Sequence, residues 1–148
     1  MGEIVGPEMP IKLVNFLRGG RLAIVATVGP DGKANSAPFS WVLVVDKRTL
    51  RLGVNQGVAT LANIRHNGSV SVSVVGPNLF VTVKGKARVI KESLAEAQLP
   101  TAVVEIAVEE VKDDAIIGRV EPGQTPTRWT DRRRLVSDST VLAALGRD

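Results

Sequence analysis

The sequence contains no cysteine and no tyrosine, a single histidine, and aromatic residues at only 3%. Without cysteine there can be no disulfide, thiolate nucleophile, iron–sulfur cluster or cysteine-ligated zinc. One histidine, His66, excludes a histidine-rich metal site or a two-histidine mechanism within one subunit. No phenol is present to donate a proton. The chain also lacks a Gly-rich dinucleotide fingerprint, a phosphate loop ending in Gly-Lys-Ser/Thr, and a His-Glu-x-x-His pair. No apolar run reaches the length of a membrane helix, and the first residues lack the basic-then-apolar order of a secretion signal. A cytoplasmic location is the expectation.

What remains is a chain of 148 residues, 44% hydrophobic and 23% charged, enough for one domain over 1–148 with a single core. It holds 23 valines and 8 isoleucines, and β-branched residues at that density favour sheet. The net charge of +4 invites a nucleic-acid-binding barrel as one reading. The excess is diluted, however: residues 1–74 carry 8 basic and 4 acidic side chains, 75–126 carry 6 and 8, and 127–148 carry 5 and 3. With so few aromatics a base-stacking surface has little to stack with, so a solvated basic surface is the better account. The run Arg132-Arg133-Arg134 belongs to that surface.

The pattern predicts a short helix over 10–18 and a strand over 21–28. The Pro30-Asp31-Gly32 turn then leads into a second strand over 34–45, so that the two form a hairpin. A third strand covers 50–55 and a short helix covers 57–66. Val70, Val72 and Val74 alternate with Ser71 and Ser73 as a half-buried strand, followed by a strand over 80–90. Residues 91–98 resemble an exposed helix. Strands over 102–111 and 116–120 flank a turn at Lys112-Asp113-Asp114, and a last helix covers 139–145. About seven strands with few helices describe a mainly β, small antiparallel barrel.

Candidate catalysts are scarce. Glu109-Glu110 and Asp113-Asp114 read as a solvated hairpin end, since neighbours on a strand point to opposite faces. His66 reads as a surface or capping residue at a helix exit. Any chemistry would then belong to a bound cofactor. The most suggestive segment runs through 53–65, where a strand ends at Asn55-Gln56, Gly57 bends the chain, and a helix opens near Thr60 with unpaired amides that suit a phosphate.

Four motifs in order carry a resemblance: Ala26-Thr27-Val28-Gly29-Pro30-Asp31-Gly32-Lys33, Ala37-Pro38-Phe39-Ser40-Trp41, Thr60-Leu61-Ala62-Asn63-Ile64-Arg65-His66-Asn67, and Val83-Lys84-Gly85-Lys86-Ala87. Over roughly 10–120 the chain resembles the FMN-binding split barrels, the superfamily of pyridoxamine 5′-phosphate oxidase-like and small FMN-binding proteins. The resemblance implies a six- to seven-stranded antiparallel split β-barrel over 10–120 with a few short helices and a tail over 121–148. It also implies a two-fold homodimer holding FMN, or a deazaflavin, between subunits. Ala37, Pro38, Phe39 and Ser40 would run along the flavin ring, Asn55 and Gln56 would approach the ring or ribityl chain, and Ala59 and Thr60 would sit at the phosphate. Asn63 would brace the loop, and Trp129 or the tail around it would cover the partner's flavin. Trp41 is left between core or dimer packing and flavin contact.

The implied activity is a flavin-dependent oxidoreductase acting on a small redox substrate, with a non-catalytic flavin carrier or sensor as the alternative. The chain departs from the pattern in having Ala59 where many relatives place lysine or arginine. That leaves helix amides, Thr60, and Arg88 or Lys86 to meet a phosphate. The C-terminal Arg-x-His pattern of the true pyridoxamine phosphate oxidases is absent.

Overall fold

The computed structural model describes residues 2–114 and 132–147, with side chains of the last helix described from 139 onward. Its elements are, in chain order, β1 (Glu3–Gly6), α1 (Ile11–Arg18), β2 (Ala23–Val28), β3 (Ala34–Phe39), β4 (Val42–Asp46), β5 (Thr49–Asn55), α2 (Ala59–His66), β6 (Ser69–Gly76), β7 (Leu79–Lys91), β8 (Thr101–Asp113) and α3 (Arg132–Leu145). This is a mainly β protein with three helices.

One antiparallel sheet runs β3-β2-β6-β7-β8-β5-β4, with β1 added to the far end of β8. Inward valines on alternate positions close it around one core. Val25 of β2, Val42 of β4, Leu52 of β5, Val72 of β6, Val83 of β7 and Val104 of β8 all belong to a single buried cluster. Residues from both ends of the strand order meet there, so the sheet curls on itself and the split lies between β3 and β4. Val72, Val74, Val81 and Val83 are core residues, as the alternation of that segment implies.

The turn before β3 forms as its sequence dictates. Gly32 has φ +76°, a conformation that favours glycine, and Asp31 Oδ1 accepts from the Lys33 amide at 3.0 Å. Replacing Asp31 by Ala removes this one exposed bond and is expected to cost about 1 kcal/mol. A lower urea midpoint with an unchanged slope is the measurement that shows it.

Five sequence expectations are corrected. The apolar stretch over 34–45 is two strands, not one: β3 pairs only with β2, and β4 pairs with β5. The chain crosses the split at Ser40-Trp41, so the two halves of the stretch lie at opposite ends of the sheet. Residues 91–98 form no helix; Leu94 is pulled into the core and its amide donates to the Thr101 carbonyl at 2.8 Å, which bends the segment back onto β8. β8 continues through Lys112 and Asp113 with no turn there, because Thr82 and Val81 of β7 pair with them on one side and β1 pairs on the other. The acids there are consequently paired on the sheet surface, Glu110 with Lys84, Asp113 with Lys12, and Asp114 with Lys112. β1 itself was not anticipated: four residues with two exposed apolar side chains carry little signal without their partner strand. α3 begins seven residues before the expected helix. The strand expected over 116–120, and Trp129, lie outside the described residues. No helix among the described residues is long and apolar enough to cross a membrane.

Candidate functional site

Because β3 ends at the split, its last residues have no strand beyond them, and an open groove forms where it meets the end of β5 and the start of α2. The groove encloses about 310 Å³, within the size range of small-molecule sites. From β3 and the crossing come Ala37, Pro38, Phe39, Ser40 and Trp41; from β5, Gly53 and Asn55; from α2 and its cap, Val58 and Thr60; from the following loop, Leu99. Six of the residues singled out in the sequence, Ala37, Pro38, Phe39, Ser40, Asn55 and Thr60, are thus brought together. Pro38 sits where a proline belongs in a sheet, on an edge strand.

The polar groups are held by a short network. Thr60, 1% exposed, accepts at Oγ1 from Asn35 Nδ2 at 3.3 Å, which fixes its hydroxyl while leaving the proton for another acceptor. The Thr101 hydroxyl, with one proton to give, lies 2.7 Å from the Leu99 carbonyl and 3.0 Å from the Asn55 side-chain amide, which it holds with the amide's other end toward the groove. One turn further along α2, Asn63 is buried and donates to Thr27 Oγ1 at 3.0 Å, pinning the helix to β2. This is a bracing contact of the kind that the resemblance implies for Asn63.

α2 opens without a side-chain cap at Val58, and the Ala59 and Thr60 amides find no partner among the described residues. Helix amides of this kind favour negative charge. Ala59 is exposed and opens α2 without lining the groove. Gln56 is also turned away: its Nε2 donates to the Glu92 carbonyl at 2.7 Å, and its backbone amide donates to the Pro100 carbonyl. Both bonds tie the 92–100 loop across the end of β5, and that loop delivers Leu99 to the rim.

The basic residues considered as substitutes for a cation beside Thr60 are engaged elsewhere. Lys86 donates to Ser69 Oγ and Arg88 pairs with Glu105, and neither lines the groove. Arg65, on α2, pairs with Glu92. No titratable side chain lines the groove among the described residues, and no cluster of metal-ligating side chains exists among them. What the described residues offer is an apolar slot edged by neutral polar groups, with unpaired helix amides at one end. His66 is exposed at the C-terminal end of α2, away from the lining.

Trp41 and Gly53 escaped the list of site residues drawn from the sequence. Trp41 packs partly under α3, in a second apolar cluster with Val103, Val141 and Leu145, and partly along the groove. Of the two roles weighed in the sequence, the packing role is present, and the indole also lines the groove. The signal for Gly53 was a glycine in the interior of a strand, which marks a close approach.

Comparison with known proteins places these features in a family. The profile of the pyridoxamine 5′-phosphate oxidase family matches residues 9–132. A candidate pyridoxamine 5′-phosphate oxidase from Lactobacillus delbrueckii is similar in structure, at 24% identity and TM-score 0.65, over 75% of this chain and 98% of that one. HupZ of group A Streptococcus is 25% identical with TM-score 0.63, over 72% of this chain and 95% of its own. An FMN-binding protein from Syntrophomonas wolfei shares the fold at 13% identity and TM-score 0.61, over 72% of this chain and 86% of that one. No curated protein matches the chain.

Proposed function

Since the chain belongs to the pyridoxamine 5′-phosphate oxidase-like family of FMN-binding split barrels, we propose that it binds FMN in the β3–β5–α2 groove and serves as a flavin-dependent oxidoreductase for a small redox substrate. The observation that carries this reading is the meeting of Ala37 to Ser40 with Asn55 and Thr60 at one cleft. The donor set fits the group. Phe39 and Trp41 offer apolar surface to a ring, Asn55 offers one end of its amide to polar atoms of ring or sugar, and the α2 amides with the Thr60 hydroxyl face a phosphate. FMN, when bound, supplies hydride transfer. The chain's own share is binding, orientation and exclusion of water, since no acid–base pair lines the groove among the described residues.

The dimer in this reading uses the outer face of β3, β2 and β6. With Val25 and Val72 inward, Pro38, Ile24, Ser73 and Thr82 form one outward cross-strand row, and Ser36, Ala26 and Ser71 form the next. Ile24 is 41% exposed, and on β3, β2 and β6 the rows carry no charge, the first charged member being Lys84 of β7 beyond Ser71. A second copy laid there would reach each groove's open side, and sedimentation of the protein should give twice the chain mass.

The test is titration of the full chain into FMN and into riboflavin, which differ only by the phosphate. Wild-type protein should quench flavin fluorescence with both; failure to bind either would remove the reading. Replacing Thr60 by Val keeps the volume and removes the hydroxyl. It should weaken FMN about tenfold, the worth of a hydrogen bond to a charged group, and leave riboflavin unchanged. A second reading, in which FMN is bound without turnover, makes the protein a carrier. Anaerobic mixing with NADPH separates the two, since only the oxidoreductase is reduced rapidly. Tighter binding of a deazaflavin than of FMN would change the cofactor and leave the site in place.

A further inference from the structure

We propose that Gly53 sets the width of the groove, by giving the Trp41 indole a bed to lie in, and so decides whether a tricyclic ring can enter. The proposal rests on the flavin reading above. Gly53 is an interior strand residue without the positive φ that favours glycine elsewhere in this chain, so its backbone conformation does not call for glycine. Glycine there weakens a strand, and its neighbours Leu52 and Val54 are fully buried large residues. What does call for it is space. A Cβ built on Gly53 would lie 2.9 Å from Trp41 Cε3, 3.2 Å from Trp41 Cβ and 3.5 Å from Thr101 Cγ2. The indole therefore rests directly on the β5 backbone.

Among the described residues, the indole has one direction in which to yield. The backbone is clamped, because the Gly53 amide donates to the Trp41 carbonyl at 3.0 Å. On the α3 side Trp41 packs against a filled apolar cluster that includes Val103 and Leu145. The open space is the groove, which both residues line. Any side chain at 53 accordingly pushes the indole into the volume where the ring would lie. Gly53 is a positioning residue that acts through Trp41.

The experiment uses the full chain in four forms: wild type, Gly53→Ala, Trp41→Leu, and the double variant. FMN affinity is read by fluorescence quenching, and the folded state by circular dichroism. Gly53→Ala should weaken FMN about tenfold or more. In the double variant the alanine has no indole to displace, so its affinity should equal that of Trp41→Leu alone. Unchanged affinity in Gly53→Ala, or an equal loss on adding alanine to Trp41→Leu, overturns the proposal. If Gly53→Ala fails to fold, the double variant still decides, since relief of the clash should restore the fold and persistent unfolding overturns the proposal.

A readout independent of flavin is fluorine NMR of protein labelled with 5-fluorotryptophan. The chain has two tryptophans, and the Trp41 resonance is the one lost in Trp41→Leu. Gly53→Ala should shift that resonance and leave the other in place; two unmoved resonances count against the proposal. Should wild-type protein bind no FMN, the flavin reading falls while the indole displacement is still decided by this spectrum.

Discussion

Replacing Arg51 by Met should destabilise the protein by about 3 kcal/mol and free α3 from the sheet, because it breaks a buried charge arrangement by removing one member. Arg51 lies on the outer face of β5 with its side chain 9% exposed. Its Nε donates to Glu105 Oε2 at 3.0 Å, and its Nη1 donates to the Leu145 carbonyl at 3.0 Å. Glu105 also accepts from Arg88 at 3.1 Å, and sheet register places Arg51, Glu105 and Arg88 side by side across three strands. The second bond matters most for α3. A helix ends in carbonyls without intrahelical donors and at the negative end of its dipole, so a buried guanidinium there both bonds and neutralises it.

Arg88 is mostly exposed and retains Glu105 as a partner, but it cannot reach into the space Arg51 fills against α3. The expected result is a lower urea midpoint at unchanged slope, together with loss of hydrogen-exchange protection confined first to residues 140–147. Arg51→Lys should fall between, keeping the charge without the fork that serves two acceptors. Arg51→Met combined with Glu105→Leu should recover part of the loss, since the Glu105 carboxylate is then not left without Arg51. A midpoint for Arg51→Met equal to wild type would show that α3 docks through its apolar cluster alone.

Much of this architecture could be read from residue order because its signals are local. The Pro30-Asp31-Gly32 turn, the Val/Ser alternation of β6 and the bend at Gly57 each act within a few residues. So does the glycine that ends the first helix. Of the groove, the β5–α2 connection was legible from its own residues, whereas the place of Ala37 to Ser40 came from the resemblance to the split barrels. What the pattern could not show depends on distant partners. β1 becomes a strand only because β8 runs on past β5 and leaves an edge to pair. The 34–45 stretch reads as one apolar run, yet the barrel must change edges within it, and only closure of the sheet says where. Arg51 looks like an ordinary surface arginine until α3, more than 80 residues later, covers it. Gly53 has its reason in the side chain of Trp41, a close approach that spacing does not encode.

The same dependence on a distant partner makes Asn63 the residue whose loss should affect stability and site together. α2 is eight residues long, too short to hold its position by its own hydrogen bonds. Its inner face contributes Leu61 and Ile64 to the core, but apolar packing resists sliding poorly, and the Thr60 hydroxyl has to stay within reach of Asn35. The directional tie is Asn63 Nδ2 to Thr27 Oγ1, both residues buried, at 7% and 2% exposure. Asn63→Ala removes the donor and leaves the Thr27 hydroxyl without it in a dry interior, a loss of about 2 kcal/mol. Circular dichroism melts should show that destabilisation.

If the tie positions α2, the same variant should also weaken FMN more than riboflavin, because the amides at Ala59 and Thr60 would no longer hold their place at the phosphate end. Thr27→Val in the Asn63→Ala chain should then restore stability, since no polar group remains unpaired, without restoring FMN affinity. Recovery of both together would assign Asn63 to packing and leave α2 positioned by its apolar face.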